Sequence, residues 1–203
     1  MIPFMRRSVA GLVGCACLSA ILLASCGSTQ ARGPYNSDGT VARDIPKAEA
    51  LYRKATLVLT TDAVAAEKLL RETLGFDLYH GAAHNDLGVL LLKQGKLYDA
   101  AEEFQWARTL LPGHPEPSTN LAITLERGGK HQEALDSAHS ALEMRPGDLD
   151  AMECLALIQV RERLADKTTL TYLDSIIQRS NVPAWTDWAR RERFSVETSL
   201  QEP

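Results

Sequence analysis

Residues 81–148 decide the fold. They read GAAHNDLGVLLLKQGKLYDAAEEFQWARTLLPGH over 81–114 and PEPSTNLAITLERGGKHQEALDSAHSALEMRPGD over 115–148. Set one above the other, the halves agree at six positions: Leu87 with Leu121, Gly88 with Ala122, Gly95 with Gly129, Ala100 with Ala134, Ala107 with Ala141 and Pro112 with Pro146. A fixed period of 34 residues marks stacked supersecondary units. Each such unit touches mainly its neighbours, and the stack offers an extended concave surface. A binding scaffold is expected, and not an enzyme.

Each half reads as two helices. The first runs from about Ala82 to Lys93 with Leu87, Leu90 and Leu91 on one side, and Gly95 permits the turn. The second runs from about Leu97 to Leu111, where Pro112 ends the hydrogen-bond ladder. In the next unit the pattern returns as Leu121 to Glu126, a Gly128-Gly129 turn, Gln132 to Met144, then Pro146. Gly88 and Ala122 let the partner helix approach closely, with Ala100 and Ala134 expected as the other half of that contact. A bulky side chain there would overpack the pair by about 1–3 kcal/mol.

This pattern resembles the tetratricopeptide repeat over residues 81–148. The family's motif positions fall on His84, Leu87, Gly88, Leu91, Ala100, Phe104, Ala107 and Pro112, then on Ser118, Leu121, Ala122, Leu125, Ala134, Ala138, Ala141 and Pro146. The resemblance implies an all-α solenoid of antiparallel helix pairs. Flanking units are degenerate, as terminal units usually are. Residues 47–80 form a helix pair with Arg53 and Lys54 where Leu and Gly belong, so the first helix is slipped or acts as a cap. Residues 149–182 form another pair: a helix over Leu149–Leu164, then one over Lys167–Gln178 that puts Thr168, Tyr172 and Ser175 at the family's Ala, Phe and Ala positions. Residues 183–203 read as an amphipathic capping helix and tail, with Trp185, Trp188 and Phe194 on one side and Arg190, Arg191 and Arg193 facing water. The alternative is that its tryptophans anchor a partner, since aromatic side chains dominate interface hot spots.

The beginning of the chain belongs to targeting. Arg6 and Arg7 precede a mostly apolar run, Ser8 to Ala24, of the length a secretory signal needs. Leu23-Ala24-Ser25-Cys26 resembles the bacterial lipobox, which implies removal of residues 1–25 and acylation of Cys26. Several acyl chains on one cysteine hold a protein stably at a membrane. Gly27 follows Cys26 where an aspartate would resemble an inner-membrane retention signal, so the periplasmic leaflet of the outer membrane is expected if the cell has two membranes. Residues 26–46, rich in Gly, Ser, Thr, Asn and Pro, read as a flexible tether with a reach of roughly 25 Å.

The full chain carries 22 basic and 26 acidic side chains. Without Arg6 and Arg7 the balance is 20 against 26, a net charge of −6. Nucleic acid, which selects clustered Lys and Arg, is an unsuitable partner. Cys15 and Cys17 leave with the signal and Cys26 takes lipid, so Cys154 stays alone and reads as a small buried hydrophobe. No chemistry emerges elsewhere. His80 and His84 lack a third ligand for a metal, no nucleophile elbow or phosphate loop is present, and acidic pairs such as Glu102-Glu103 read as solvated helix faces. No catalytic residue, cofactor, metal or small-molecule substrate is expected.

The groove remains. In the family its lining falls on set positions of the first helix of each unit. Carried onto this chain, these give Asn85, Asp86 and Lys93, then Thr119, Asn120 and Arg127, then Glu153 and Arg161. Lys93, Arg127 and Arg161 would form a basic ladder, and Asn85 and Asn120 can each donate to and accept from an extended backbone. The alternative is a merely solvated helix side. The family's carboxylate clamp is not reproduced, because Asp150 and Cys154 stand at two of its basic positions. The whole resembles small tetratricopeptide lipoproteins of pilus and secretion assembly, such as those of the tight-adherence pilus. That implies a lipid-anchored envelope scaffold holding a peptide or helix of another envelope protein. An adaptor for cell-wall hydrolases or synthases, or a non-catalytic subunit of an envelope enzyme complex, are the competing readings.

Overall fold

The computed structural model describes residues 43–201. Among them the chain forms nine α-helices and no strand: α1 (Ile45–Val58), α2 (Ala63–Phe76), α3 (Gly81–Lys93), α4 (Leu97–Leu110), α5 (Glu116–Arg127), α6 (His131–Met144), α7 (Leu149–Arg161), α8 (Lys167–Arg179) and α9 (Pro183–Ser199). None of these helices is long and apolar enough to cross a membrane. Their starts are written in the sequence. Asp44, Asp62, Asp148 and Asp166 each accept a backbone N–H of the first turn, which satisfies one of the donors a helix start leaves open. At α5, Pro117 sits in the first turn, where a missing N–H costs nothing, so the helix begins five residues before Leu121.

Consecutive helices pack as antiparallel pairs, α1 with α2 through α7 with α8, and α9 closes the stack against α8. The odd-numbered helices lie closer together than the even ones. α5 touches both α3 and α7, and no two of α2, α4, α6 and α8 make comparable contact. The odd helices therefore line the inner, concave side.

The repeat positions are the core. Leu87, Leu121 and Leu155 are buried, as are Gly88, Ala122 and Ala156 behind them and Ala66, Ala100 and Ala134 on the facing helices. The contact that forbids a side chain at Gly88, however, is not made by Ala100: a Cβ there would lie 2.7 Å from Cε1 of the Phe104 ring. The frame breaks at both ends. Arg53 and Lys54 of α1 are exposed, with Ala48 and Ala55 buried instead. In α8 the buried residues are Thr169, Leu173 and Ile176, one position past those the repeat spacing selects. The cause is the α7–α8 connection, because α8 starts four residues after Arg163, whereas α4 and α6 start two residues after Gly95 and Gly129.

In α9, Ala189 and Val196 are buried, and Trp185 and Trp188 pack edge to face at 5.2 Å against the second cluster formed with α7 and α8. Two expectations for this helix fail. Phe194 is 75% exposed. Arg193 is held by Asp174 at 2.5 Å and Glu197 at 2.9 Å instead of facing water alone. Arg190 stands 34 residues past Ala156, where the array carries its small residue, so no further helix can close on α9 there.

The expectation that Glu103 is solvated also fails. It is 2% exposed, and its carboxylate meets His84 Nδ1 at 2.6 Å while His84 Nε2 donates to the Leu78 carbonyl at 2.8 Å. The Trp106 ring stacks on His84 at 5.6 Å. His84 fills the aromatic position of its unit, and Glu103 is drawn into the core to satisfy it.

Candidate functional site

The concave face is held together by side chains that bridge one odd-numbered helix to the next. Tyr52 of α1 donates to Asp86 Oδ2 of α3 at 2.9 Å. Asn85 donates to the other oxygen of Asp86 at 3.4 Å, and Asn120 of α5 donates to Asn85 Oδ1 at 3.0 Å. Further along, Arg161 of α7 pairs with Glu126 of α5 at 2.8 Å. Three of these four contacts join residues 34 or 35 apart, so the repeat that builds the fold also aligns the groove.

Burial raises the pKa of Asp86, against the opposing hydrogen bonds of Tyr52 and Asn85, because a half-buried carboxylate here has no cation close by to offset its desolvation. The same burial raises Tyr52, and the Asp86 charge adds to it. On α7, burial raises Asp150 and Glu153; the Asp148 charge adds to the first and the Asp150 charge to the second. Cys154 is buried, and burial pushes its thiol up to about 12, which leaves it protonated and unreactive at neutral pH. Between these groups run apolar side chains that are not fully covered: Val89 of α3, Ile123 of α5, and Leu157 of α7.

The sequence-derived lining residues divide. Asn85, Asp86, Asn120 and Glu153 are half-buried on or beside this face, and Lys93 and Arg127 are exposed with no ion pair among the described residues. Thr119 is withdrawn: it is 3% exposed, and its hydroxyl donates to the Pro115 carbonyl at 3.2 Å within its own helix. The basic ladder loses its third rung, since Arg161 is spent on Glu126 and also donates to His131 Nδ1 at 2.9 Å. Cys26, the lipidation candidate, lies outside the described residues. Sequence reasoning missed Tyr52 and the latch made by Glu126. Each was visible in principle, Tyr52 as the residue 34 before Asp86 and Glu126 as the one 35 before Arg161.

Among the described residues no group of three His, Cys, Asp or Glu is placed to hold a metal ion. His80 is occupied at the start of α3, where its Nδ1 accepts from the Ala83 N–H at 3.1 Å. His84 is locked in the core as described above.

Stacked antiparallel helix pairs at a 34-residue period, with a polar inner face, define a tetratricopeptide-type α-solenoid. Solved structures agree with this assignment. The chain is similar to YrrB, described as a tetratricopeptide protein with an unusual peptide-binding site, at 15% identity over 76% of this chain and 78% of that one, with a TM-score of 0.64. It is similar to PilF of Pseudomonas aeruginosa at 19% identity over 77% of this chain and 76% of that one, TM-score 0.63. It is also similar to the first tetratricopeptide domain of Spaghetti (RPAP3) bound to the HSP90 peptide SRMEEVD, at 18% identity over 61% of this chain and 98% of that one, TM-score 0.56. No protein-family model and no curated protein matches the sequence.

Proposed function

We propose that this chain is a lipid-anchored scaffold of a bacterial cell envelope whose concave groove holds a segment of a partner protein during pilus or secretion-system assembly. The observation that carries the groove reading is the Asn85–Asn120 pair. The two amides meet across α3 and α5 at 3.0 Å, which fixes them on the inner face while leaving amide donors and the Asn120 carbonyl for a ligand. Two proteins of similar fold are described as holding peptides, which supports a protein partner and not a small substrate. The scaffold is not an enzyme in this reading: His84, Glu103 and Cys154 are committed to the core. The anchor rests on Arg6, Arg7, the apolar run and Leu23-Ala24-Ser25-Cys26.

Two measurements test the two halves separately. Cys26→Ala should move the protein from the membrane fraction to the soluble fraction; unchanged membrane retention contradicts the anchor. Asn85→Ala with Asn120→Ala should abolish partner capture while leaving helix content unchanged, and undiminished capture contradicts the groove.

A further inference from the structure

The following rests on the groove reading and names what the groove takes. Its charges are sorted along the axes of the odd-numbered helices. Asp86 sits in the first half of α3, and Asp150 and Glu153 sit in the first half of α7. Lys93 and Arg127 occupy the last turns of α3 and α5. The remaining charges of the two rims cancel locally, Glu116 against Arg145 at 2.7 Å and Arg161 against Glu126 at 2.8 Å. What is left is one acidic rim, one basic rim, and an apolar floor of Val89, Ile123 and Leu157 between them.

The spacing of the rims selects the shape of the ligand. Asp86 and Lys93 are seven residues apart on one helix, about 10 Å at the α-helical rise. That matches the diameter of a helix with its side chains, about 10–12 Å. An extended segment, about 5 Å wide between strand neighbours, would leave one rim unserved. We propose that the occupant is an amphipathic helix of the partner, lying across α3, α5 and α7. Its apolar stripe rests on the floor, a Lys/Arg flank faces Asp86, Asp150 and Glu153, and an Asp/Glu flank faces Lys93 and Arg127. Burial holds the three carboxyls above the usual carboxylate range, as expected of acids with no cation beside them, and the partner's basic flank supplies one. The split also selects a direction, because turning a helix end for end exchanges its flanks.

The test is a displayed library of helices about five turns long, with Leu along one stripe and each flank position drawn from Lys, Glu and Gln. The full chain with its lipid anchor, in detergent, is the bait. Enriched sequences should carry Lys on one flank and Glu on the other. A photoreactive group at one end of the best peptide should label the α1 end or the α9 end of the groove, and exchanging Lys for Glu throughout should move the label to the opposite end. Lys93→Glu with Arg127→Glu, both exposed positions, should weaken that peptide by about tenfold. Enrichment of one sign on both flanks, a label that stays put, or unchanged affinity of the double variant would overturn the helix and its direction while leaving the groove as a binding site. Failure to enrich any binder would overturn the groove reading itself.

Discussion

Arg163 occupies the left-handed turn position that Gly129 occupies 34 residues earlier. Their φ values are 57° and 75°, and Gly95 one unit before has φ 76°. All three turns close with the same pair of backbone bonds. In the third, Arg163 N–H meets the Val160 carbonyl at 3.2 Å and Leu164 N–H meets the Gln159 carbonyl at 2.7 Å; in the second, Gly129 meets Glu126 and Lys130 meets Leu125. This is the helix-ending motif that glycine serves at no steric cost. Arginine there carries a left-handed penalty of about 1–2 kcal/mol.

Arg163→Gly should therefore stabilise the fold. Glycine's greater freedom in the unfolded chain offsets about 0.5–1 kcal/mol of the gain, so a rise in Tm of about 2 °C is expected. Thermal unfolding followed by circular dichroism checks it, with Gly129→Arg as the reverse experiment expected to lower Tm.

Gly88→Ala should destabilise, because the added Cβ would stand 2.7 Å from the Phe104 ring. Overpacking of this kind costs about 1–3 kcal/mol. A Phe104→Leu change in the same chain should return part of that loss in urea unfolding. Additive losses would mean the ring is not what limits position 88.

The buried pair His84 and Glu103 makes a different prediction. Glu103→Ala strips the carboxylate from a fully buried imidazole and should cost about 3 kcal/mol, the scale for orphaning one member of a buried charged pair. Replacing both, His84→Leu with Glu103→Leu, should cost less than Glu103→Ala alone. Chemical denaturation of the three variants decides it, and a double variant worse than the single would contradict the pairing.

Much of the fold was legible in the 34-residue spacing because Leu87, Gly88, Ala100 and their counterparts face the core, where packing dictates residue size. The ends were less legible for the same reason. In α8 a turn two residues longer moved the buried face from Thr168 to Thr169, and nothing in the motif counts turn residues. Glu103 was misread because its sequence neighbours suggest solvent, whereas its partner lies 19 residues away on α3. In the groove, family positions located Asn85 and Asn120 but could not say which side chains were already spent. Thr119 turns back to its own helix and Arg161 is taken by Glu126, and both outcomes depend on distances that only the fold supplies.

Asp86 gives a pH-dependent prediction. Burial raises its folded pKa above the ordinary value. An acid raised in this way lowers stability at pH values above its folded pKa, and that penalty disappears as pH falls below the unfolded value. Asp86→Asn should thus be more stable than the parent at neutral pH, with the difference closing below the ordinary carboxylate range. Equal stability at every pH would mean that Tyr52 and Asn85 fully compensate the burial.

The most direct test of the scaffold's working surface is site-specific photocrosslinking in the native cell. A photoreactive residue at position 120 or 127, on the groove, should give a discrete crosslinked species of higher mass, and one at position 57, an exposed residue of α1, should not. Crosslinks that form from position 185 or 188 on α9 and are absent from 120 and 127 would contradict the groove and assign the interface to the closing helix.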